Sequence, residues 1–113
     1  MNKNPFAWPF SKHRQERILR ADQFVSKAAE EIDDLDPALG ANSPAAFRKY
    51  RRAARYYERS ADGYRRAGLG AMASASWQDA AECWAIVGDE KECMRCEEED
   101  ARIDVFYEEE LNG

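Results

Sequence analysis

Hydrophobic residues recur at steps of three and four positions in four stretches of the chain, which is the spacing that places them on one face of a helix. These stretches predict α-helices at about residues 11–35, 44–67, 70–87 and 90–110. No stretch alternates apolar and polar residues with a period of two, so we expect no β-strands. The pattern predicts an all-α fold, a small bundle of about four helices.

The ends of the predicted helices are set by residues with known terminal preferences. Ser43 is a suitable N-cap for the second helix, and Pro44 suits its first helical position. Gly68 and Gly88 can end the second and third helices in the left-handed conformation. The short connections after these glycines predict that the last three helices are successive antiparallel neighbours.

Each predicted helix has one apolar face that we expect to be buried. The face of the first helix is mostly aliphatic and contains Ile18, Val25, Ala28, Ala29, Ile32 and Leu35. The second face combines alanine with aromatic residues, namely Phe47, Tyr50, Ala54, Tyr57, Ala61 and Tyr64. The third has the same character in Ala73, Trp77, Ala80, Ala81 and Trp84. The fourth is thinner and contains Cys93, Cys96, Ile103, Phe106 and Tyr107.

Two helix starts carry further capping signals. Ser11 is a plausible N-cap for the first helix. Asp89 and Glu92 have the spacing of a capping box at the start of the fourth, in which each side chain accepts from the other residue's backbone N–H. Residues 1–10 contain two prolines and three aromatic residues, a pattern too irregular for a helix. We therefore predict an irregular N-terminal segment at 1–10 and a single helical domain at 11–113.

An internal repeat relates the second and third helices. When the terminating glycines Gly68 and Gly88 are superposed, Tyr57 aligns with Trp77, Ala61 with Ala81 and Tyr64 with Trp84. Small residues allow two helices to approach closely, and aromatic residues one turn away fill the grooves beside them.

In these two segments, 57–68 and 77–89, the chain resembles tetratricopeptide-like repeats, particularly those of the soluble-NSF-attachment-protein type. The resemblance covers about a third of the chain and is not continued beyond residue 97, where acidic residues replace the aromatic and small ones. It implies antiparallel helical hairpins, and it implies a scaffold or adaptor that binds a protein partner on a helical surface without chemistry of its own.

Charge is sorted along the chain although the total is only −5. Residues 1–42 have a net charge of −1, residues 43–76 of +6 and residues 77–113 of −10. The basic residues of the second helix form one ridge of Arg48, Arg52, Arg55, Arg59 and Arg66. This ridge either faces the acidic last helix or solvent, or it forms a surface for phosphates. An acidic chain is a poor binder of nucleic acids, so we expect no direct nucleic-acid binding.

Two surfaces are candidates for binding a protein partner. The first is aromatic and consists of Phe6, Trp8 and Phe10, which could also dock on a second copy of the chain and form a homodimer. The second is the acidic face of the last helix, Glu97, Glu98, Glu99 and Asp100 together with Glu108 and Glu109. Regularly spaced carboxylates attract a basic groove by long-range steering. The alternative function is therefore an acidic inhibitor, encoded by a phage or mobile element, that mimics nucleic acid and blocks a nucleic-acid-handling system of the host.

The sequence contains no constellation typical of an enzyme. Cys93 and Cys96 are three residues apart, but a zinc site needs about four ligands. The chain has only one further cysteine and one distant histidine. Four acidic residues follow this pair and would raise the thiol pKa values, so we expect the cysteines to serve as small core residues. We predict no catalysis, no cofactor and no metal.

The chain has neither the apolar stretch of about 18 residues that a membrane span needs nor a signal peptide at its start. We expect no membrane association and a location in the cytoplasm of a cell or of a phage host. The three cysteines of such a chain are expected to be reduced thiols.

Overall fold

A computed structural model describes the backbone of residues 12–112 and the side chains of residues 12–103. Four α-helices follow one another: α1 at Lys12–Ile32, α2 at Pro44–Arg66, α3 at Gly70–Ile86 and α4 at Glu90–Asn112. A single 3₁₀ turn, Pro37–Leu39, lies in the connection between α1 and α2. The all-α prediction is confirmed, and the helix bounds agree with the expected ones to within three residues. Ser11 and the segment 1–10 lie outside the described residues.

The two turns that join α2, α3 and α4 have the same hydrogen-bond pattern. Gly68 and Gly88 have φ values of 80° and 79°, a region that residues with a side chain rarely adopt. At the first turn Leu69 N–H donates to the Tyr64 carbonyl over 2.9 Å, and at the second Asp89 N–H donates to the Trp84 carbonyl over the same distance. Both are Schellman motifs, which satisfy carbonyls that the helix end leaves free. The helices that they join pack as antiparallel neighbours, as predicted.

The N-caps follow the sequence only in part. Ser43 Oγ accepts from the backbone N–H of residue 46 over 3.1 Å, and Asp89 Oδ1 accepts from Glu92 N–H over 3.1 Å. The reciprocal half of the predicted capping box is wrong, because the Asp89 N–H already donates to the Trp84 carbonyl. The Glu92 carboxylate accepts a hydrogen bond from Arg95 over 2.7 Å instead.

The interface between α2 and α3 carries the largest side chains of the core. Alanines from both helices are fully buried there, and the predicted aromatic residues lie beside them: Tyr50, Tyr57, Tyr64, Trp77 and Trp84, each at most 9% exposed. Burial of a large aromatic side chain is among the strongest stabilising contributions that a small domain can make. The aromatic residues that the repeat aligns are therefore part of the hydrophobic core.

Helix α1 is attached to α2 mainly by small and half-buried residues. Ala21 and Ala28 are buried, whereas Ile18, Val25, Ile32 and Leu35 are only half-buried. Gly63 of α2 allows the close approach of α1, since a Cβ placed at Gly63 would lie 3.1 Å from the Ala21 Cβ. The predicted burial of Ala29 is wrong, because Ala21 and Ala28 face α2 and residue 29 turns to solvent.

Phe47 is the second correction to the predicted core. Its side chain is 38% exposed, and the Arg51 guanidinium lies 5.8 Å from the ring centre. Phe47 sits in the first turn of α2, where Ala46 takes the buried position instead. A cation over an aromatic face makes partial exposure of the ring less costly.

Each helix packs chiefly on its neighbours in sequence: α1 on α2, α2 on α3 and α3 on α4. Helices α1 and α4 share no comparable interface, so the described helices form an open stack and not a closed four-helix ring. Among the described residues, every helix is too short or too polar to cross a membrane.

Candidate functional site

The acidic residues of α4 have different environments. Glu97 and Glu98 are exposed, and Glu99 accepts a hydrogen bond from Arg102 over 2.8 Å. Asp100 instead joins α4 to α3, because it accepts hydrogen bonds from the Ser74 hydroxyl and from Gln78 Nε2. Within residues 97–100, the acidic face thus consists of an exposed pair followed by two carboxylates that accept hydrogen bonds.

The other predicted partner-binding residues cannot be placed in the same detail. Phe6, Trp8 and Phe10 lie outside the described residues. Glu108 and Glu109 lie in the last turns of α4, and their side chains are outside the described part of the chain.

The basic ridge predicted on α2 is divided among several contacts. Arg52 pairs with Glu31 of α1 over 3.1 Å, and Arg66 pairs with Asp62 of its own helix over 3.0 Å. Arg55 lies with its guanidinium carbon 5.8 Å from the centre of the Trp84 ring system. Among the described residues, no arginine of α2 forms an ion pair with residues 97–100, and the ridge is exposed to solvent. At the start of α4, the hydrogen bond from Arg95 and the charge of Arg55 both lower the pKa of Glu92. The ridge is therefore mainly solvated, and it faces the acidic helix at Arg55.

A cleft of about 650 Å³ opens where α1, α2 and α4 approach one another. Its walls carry seven arginines, Arg17, Arg20, Arg55, Arg59, Arg65, Arg66 and Arg95. Three carboxylates also line it, Glu58, Asp62 and Glu99. The cleft is therefore strongly basic although the chain as a whole is acidic.

The arginines of the cleft fall into two groups. Arg65 and Arg66 pair with Asp62, and Arg95 pairs with Glu58 and Glu92. Within residues 12–103, no carboxylate lies within 4.0 Å of the guanidinium of the other four, Arg17, Arg20, Arg55 and Arg59. Arg55 interacts with Glu92 at longer range, and the charges of Arg17, Arg20 and Arg59 are available to a ligand.

Cation–π and ring-stacking contacts orient Arg59 at the cleft wall. The Arg59 guanidinium carbon lies 5.8 Å from the centre of the Phe24 ring, and Phe24 stacks on Tyr56 with ring centres 6.2 Å apart. Lys27 lies 6.0 Å from the Tyr56 ring centre on the α1 side. Cation–π contact leaves the N–H groups at the guanidinium edge able to donate hydrogen bonds.

Glu58 fixes the side of the cleft formed by α4. Its Oε1 accepts from Arg95 over 2.8 Å, and its Oε2 accepts from Trp84 Nε1 over 2.6 Å. The Cys96 thiol lies 3.7 Å from the same Oε2. Hydrogen bonds to Glu92 and Glu58 raise the pKa of Arg95, so this guanidinium stays charged. One carboxylate of α2 thus holds α3 and α4 in place beside the cleft.

Trp77 adds an unsatisfied donor next to the arginines. It lines the cleft, and its buried Nε1–H has no hydrogen-bond partner among the described residues. A buried N–H without an acceptor is costly, and native structures contain few of them.

The three thiols have environments that suppress their reactivity. Cys83 and Cys96 are buried, and desolvation raises the pKa of each to about 12. Cys93 is half-buried, and burial together with Glu97 and Glu90 raises its pKa. Within the described residues, no group of three or more His, Cys, Asp or Glu side chains is arranged to hold a metal ion.

Sequence reasoning identified the arginine ridge of α2 but missed the cleft. Arg17 and Arg20 are three residues apart on α1, and antiparallel packing places the start of α1 beside the end of α2. The basic residues in the first half of α1 were the sequence feature that could have indicated the cleft. They indicate it only when α1 is known to pack against α2.

Comparison of the chain with protein-family models, with curated proteins and with solved structures finds no match.

Proposed function

We propose that the chain is a non-enzymatic protein-interaction module, an adaptor or scaffold that binds a protein partner on its helical surface. The observation that carries this proposal is the cleft between α1, α2 and α4, in which four arginines have no carboxylate within 4.0 Å among the described residues. An open stack leaves such a concave surface accessible, whereas a closed ring of helices would fill it. The tetratricopeptide-like resemblance of residues 57–68 and 77–89 supports the same function.

The proposal is tested by capture of a partner followed by mapping of the contact. The tagged chain is incubated with extract of the cells that naturally produce it, and the captured protein is identified and purified. Hydrogen–deuterium exchange of the purified complex should show protection of amides in α1 and α2 relative to the free chain. A complex that protects no amide in residues 12–112 would contradict binding on the helical surface.

A second candidate function is the acidic inhibitor that mimics nucleic acid. It is favoured by the exposed pair Glu97 and Glu98 on the outer face of α4. Reversal of both charges, Glu97→Lys with Glu98→Lys, should abolish partner capture under this hypothesis. Under the adaptor hypothesis, with the partner bound on the surface of α1 and α2, the same variant should retain the partner. Neither hypothesis expects the chain itself to be retained on DNA or RNA at physiological salt.

A further inference from the structure

Resting on the proposed function, we propose that the partner contributes a short acidic segment, which binds in extended form along the arginine-lined cleft. The occupant follows from the chemistry of the walls. Guanidinium groups donate paired hydrogen bonds that match the geometry of a carboxylate. The four arginines with no carboxylate within 4.0 Å among the described residues therefore select a ligand that brings several carboxylates.

The spread of the arginines sets the length of the segment. Arg55 and Arg66 are separated by 11 residues on α2, and a rise of about 1.5 Å per residue places their backbones roughly 16 Å apart. An extended chain covers about 3.3 Å per residue, so a segment of about five residues spans the cleft. Alternate side chains of such a segment point to the same side, which places two or three carboxylates against the arginines.

Burial of the ligand is favoured by uncharged groups in the same walls. Phe24 is half-buried with its ring between Arg59 and Tyr56, and it offers apolar contact beside the charges. Trp77 also lines the cleft and adds apolar surface to the same walls. A segment that fits these walls gains both neutralisation of charge and apolar contact.

Two other anionic ligands fit the cleft less well. A continuous nucleic-acid strand would meet Asp62 and Glu99, which also line the cleft, as well as the exposed acidic residues of α4, and repulsion opposes it. A single phosphate group is far smaller than a cavity of about 650 Å³ and would leave most of the arginines without a counter-charge. A short peptide can place its carboxylates against the arginines and away from Asp62 and Glu99.

The test measures peptide binding to the purified chain by fluorescence anisotropy. The probe is fluorescein-labelled hexaglutamate, and the uncharged comparison peptide is hexaglutamine with the same label. The cleft variant is Arg17→Ala with Arg20→Ala, and both side chains are exposed on α1. The matched control is Arg48→Ala with Arg51→Ala, which removes two exposed arginines of α2 that do not line the cleft.

We expect hexaglutamate to bind the wild-type chain and hexaglutamine not to bind. The cleft variant should lose affinity by about tenfold or more, the effect of two charge-assisted contacts, and the control by less than about twofold. Equal losses in the two variants would overturn the proposal, because they would indicate attraction to net charge alone. Tighter binding of a peptide with a single phosphoserine would overturn it as well.

Two further outcomes separate this proposal from the general function. Capture of the natural partner that is unaffected by the cleft variant would refute the acidic-segment proposal and leave the interaction module intact. Sedimentation velocity tests whether a second copy of the chain occupies the cleft. A wild-type dimer that the cleft variant converts to a monomer would show that it does, and would overturn the proposal. We expect both the wild-type protein and the cleft variant to be monomers.

Discussion

The two interfaces made by α2 differ in the kind of contact that holds them together. Towards α3, the helix buries Tyr57, and α3 contributes the buried Trp77 and Trp84 together with buried alanines. Towards α1, the buried residues of the partner helix are only Ala21 and Ala28 among those described. The rest of that second interface consists of half-buried aliphatic residues, the stacked pair of Phe24 and Tyr56, and polar contacts.

Several polar contacts also connect α1 to α2. Asp22 accepts a hydrogen bond from the Tyr64 hydroxyl, and Arg14 donates to the Ala67 carbonyl at the end of α2. Two ion pairs, Arg52 with Glu31 and Lys49 with Asp34, lie near the surface. Exposed ion pairs contribute at most about 1 kcal/mol each. The comparison indicates that α2 is held more firmly by α3 than by α1.

The largest effect that we expect is loss of the folded state at alkaline pH. Tyr57, Cys83 and Cys96 lie in α2, α3 and α4, and burial raises the pKa of each to about 12. The folded pKa therefore exceeds the ordinary values of 9.0 for Cys and 10.0 for Tyr. The contribution of these groups to stability is complete below about pH 9 and disappears as the pH rises towards about 12.

Urea denaturation at a series of pH values measures this effect. The free energy of unfolding should fall steadily above about pH 9. The double variant Cys83→Ala with Cys96→Ala should start from lower stability and should show a shallower slope. A wild-type stability that stays constant up to about pH 11 would mean that these groups are not buried in a common core.

The next largest effect is expected at Trp84, whose side chain is only 2% exposed. Replacement of Trp84 by Ala should reduce the free energy of unfolding in urea by about 3–5 kcal/mol, because it leaves a large cavity in the core. The control is Met94→Ala in α4, a position that is 59% exposed. This control should change stability by less than about 0.5 kcal/mol. Similar values for the two variants would contradict the importance given to the interface between α2 and α3.

A smaller effect is expected at Glu58, which joins α2, α3 and α4. Glu58→Gln retains the shape of the side chain but removes its charge, so the hydrogen bonds from Arg95 and Trp84 weaken. We expect a loss of about 1–2 kcal/mol, less than for Trp84 because Glu58 is partly exposed. Asp34→Asn is the control, because that carboxylate is 71% exposed and pairs with Lys49 over 3.3 Å. Equal effects in urea denaturation would mean that Glu58 does not act as a central link.

The smallest change in the free energy of unfolding is expected for a substitution between α1 and α2. This substitution tests how firmly α1 is held. Gly63→Ala adds a Cβ close to that of Ala21. The same change gains about 1 kcal/mol of helix propensity. If α1 moves away by a few tenths of an ångström, the steric cost of the new Cβ nearly cancels the gain in helix propensity. The free energy of unfolding in urea then stays within about 0.5 kcal/mol of wild type.

Ala80→Val is the matched substitution in the interface between α2 and α3. The position is fully buried, and overpacking should cost about 1–3 kcal/mol. A larger loss for Gly63→Ala than for Ala80→Val would reverse the order of rigidity inferred from the two interfaces.

The sequence predicted the α2 and α3 interface closely for a physical reason. Its apolar residues are large, regularly spaced and bounded by Gly68 and Gly88, so periodicity and helix ends point to the same packing. Phe47 and Ala29 were misplaced because periodicity identifies a face but not where along the helix the neighbouring helix begins or how wide the contact is. The second half of the capping box failed because a hydrogen bond from the preceding turn had already used the Asp89 N–H.

The cleft was harder to predict than the core. Arg17 and Arg59 are far apart in the chain, and only the antiparallel packing of α1 on α2 brings them to one surface. Sequence alone also could not distinguish paired from unpaired arginines. Arg66 and Arg59 belong to the same ridge, but of these two only Arg66 forms an ion pair among the described residues. The sorting of charge along the chain indicated a basic surface on α2. Which arginines form ion pairs could be read only from the three-dimensional structure.

The lengths of the connections determine which wall of the cleft can move. Only three residues separate α2 from α3 and α3 from α4, and both turns are closed by Schellman hydrogen bonds. The connection from α1 to α2 is longer and includes a 3₁₀ turn followed by Gly40 at a φ of 58°. Of the helices that line the cleft, α1 therefore has the connection with the greatest conformational freedom. We expect a displacement that widens the cleft to be a hinge motion of α1 about residues 33–43, on the microsecond to millisecond timescale of such collective motions.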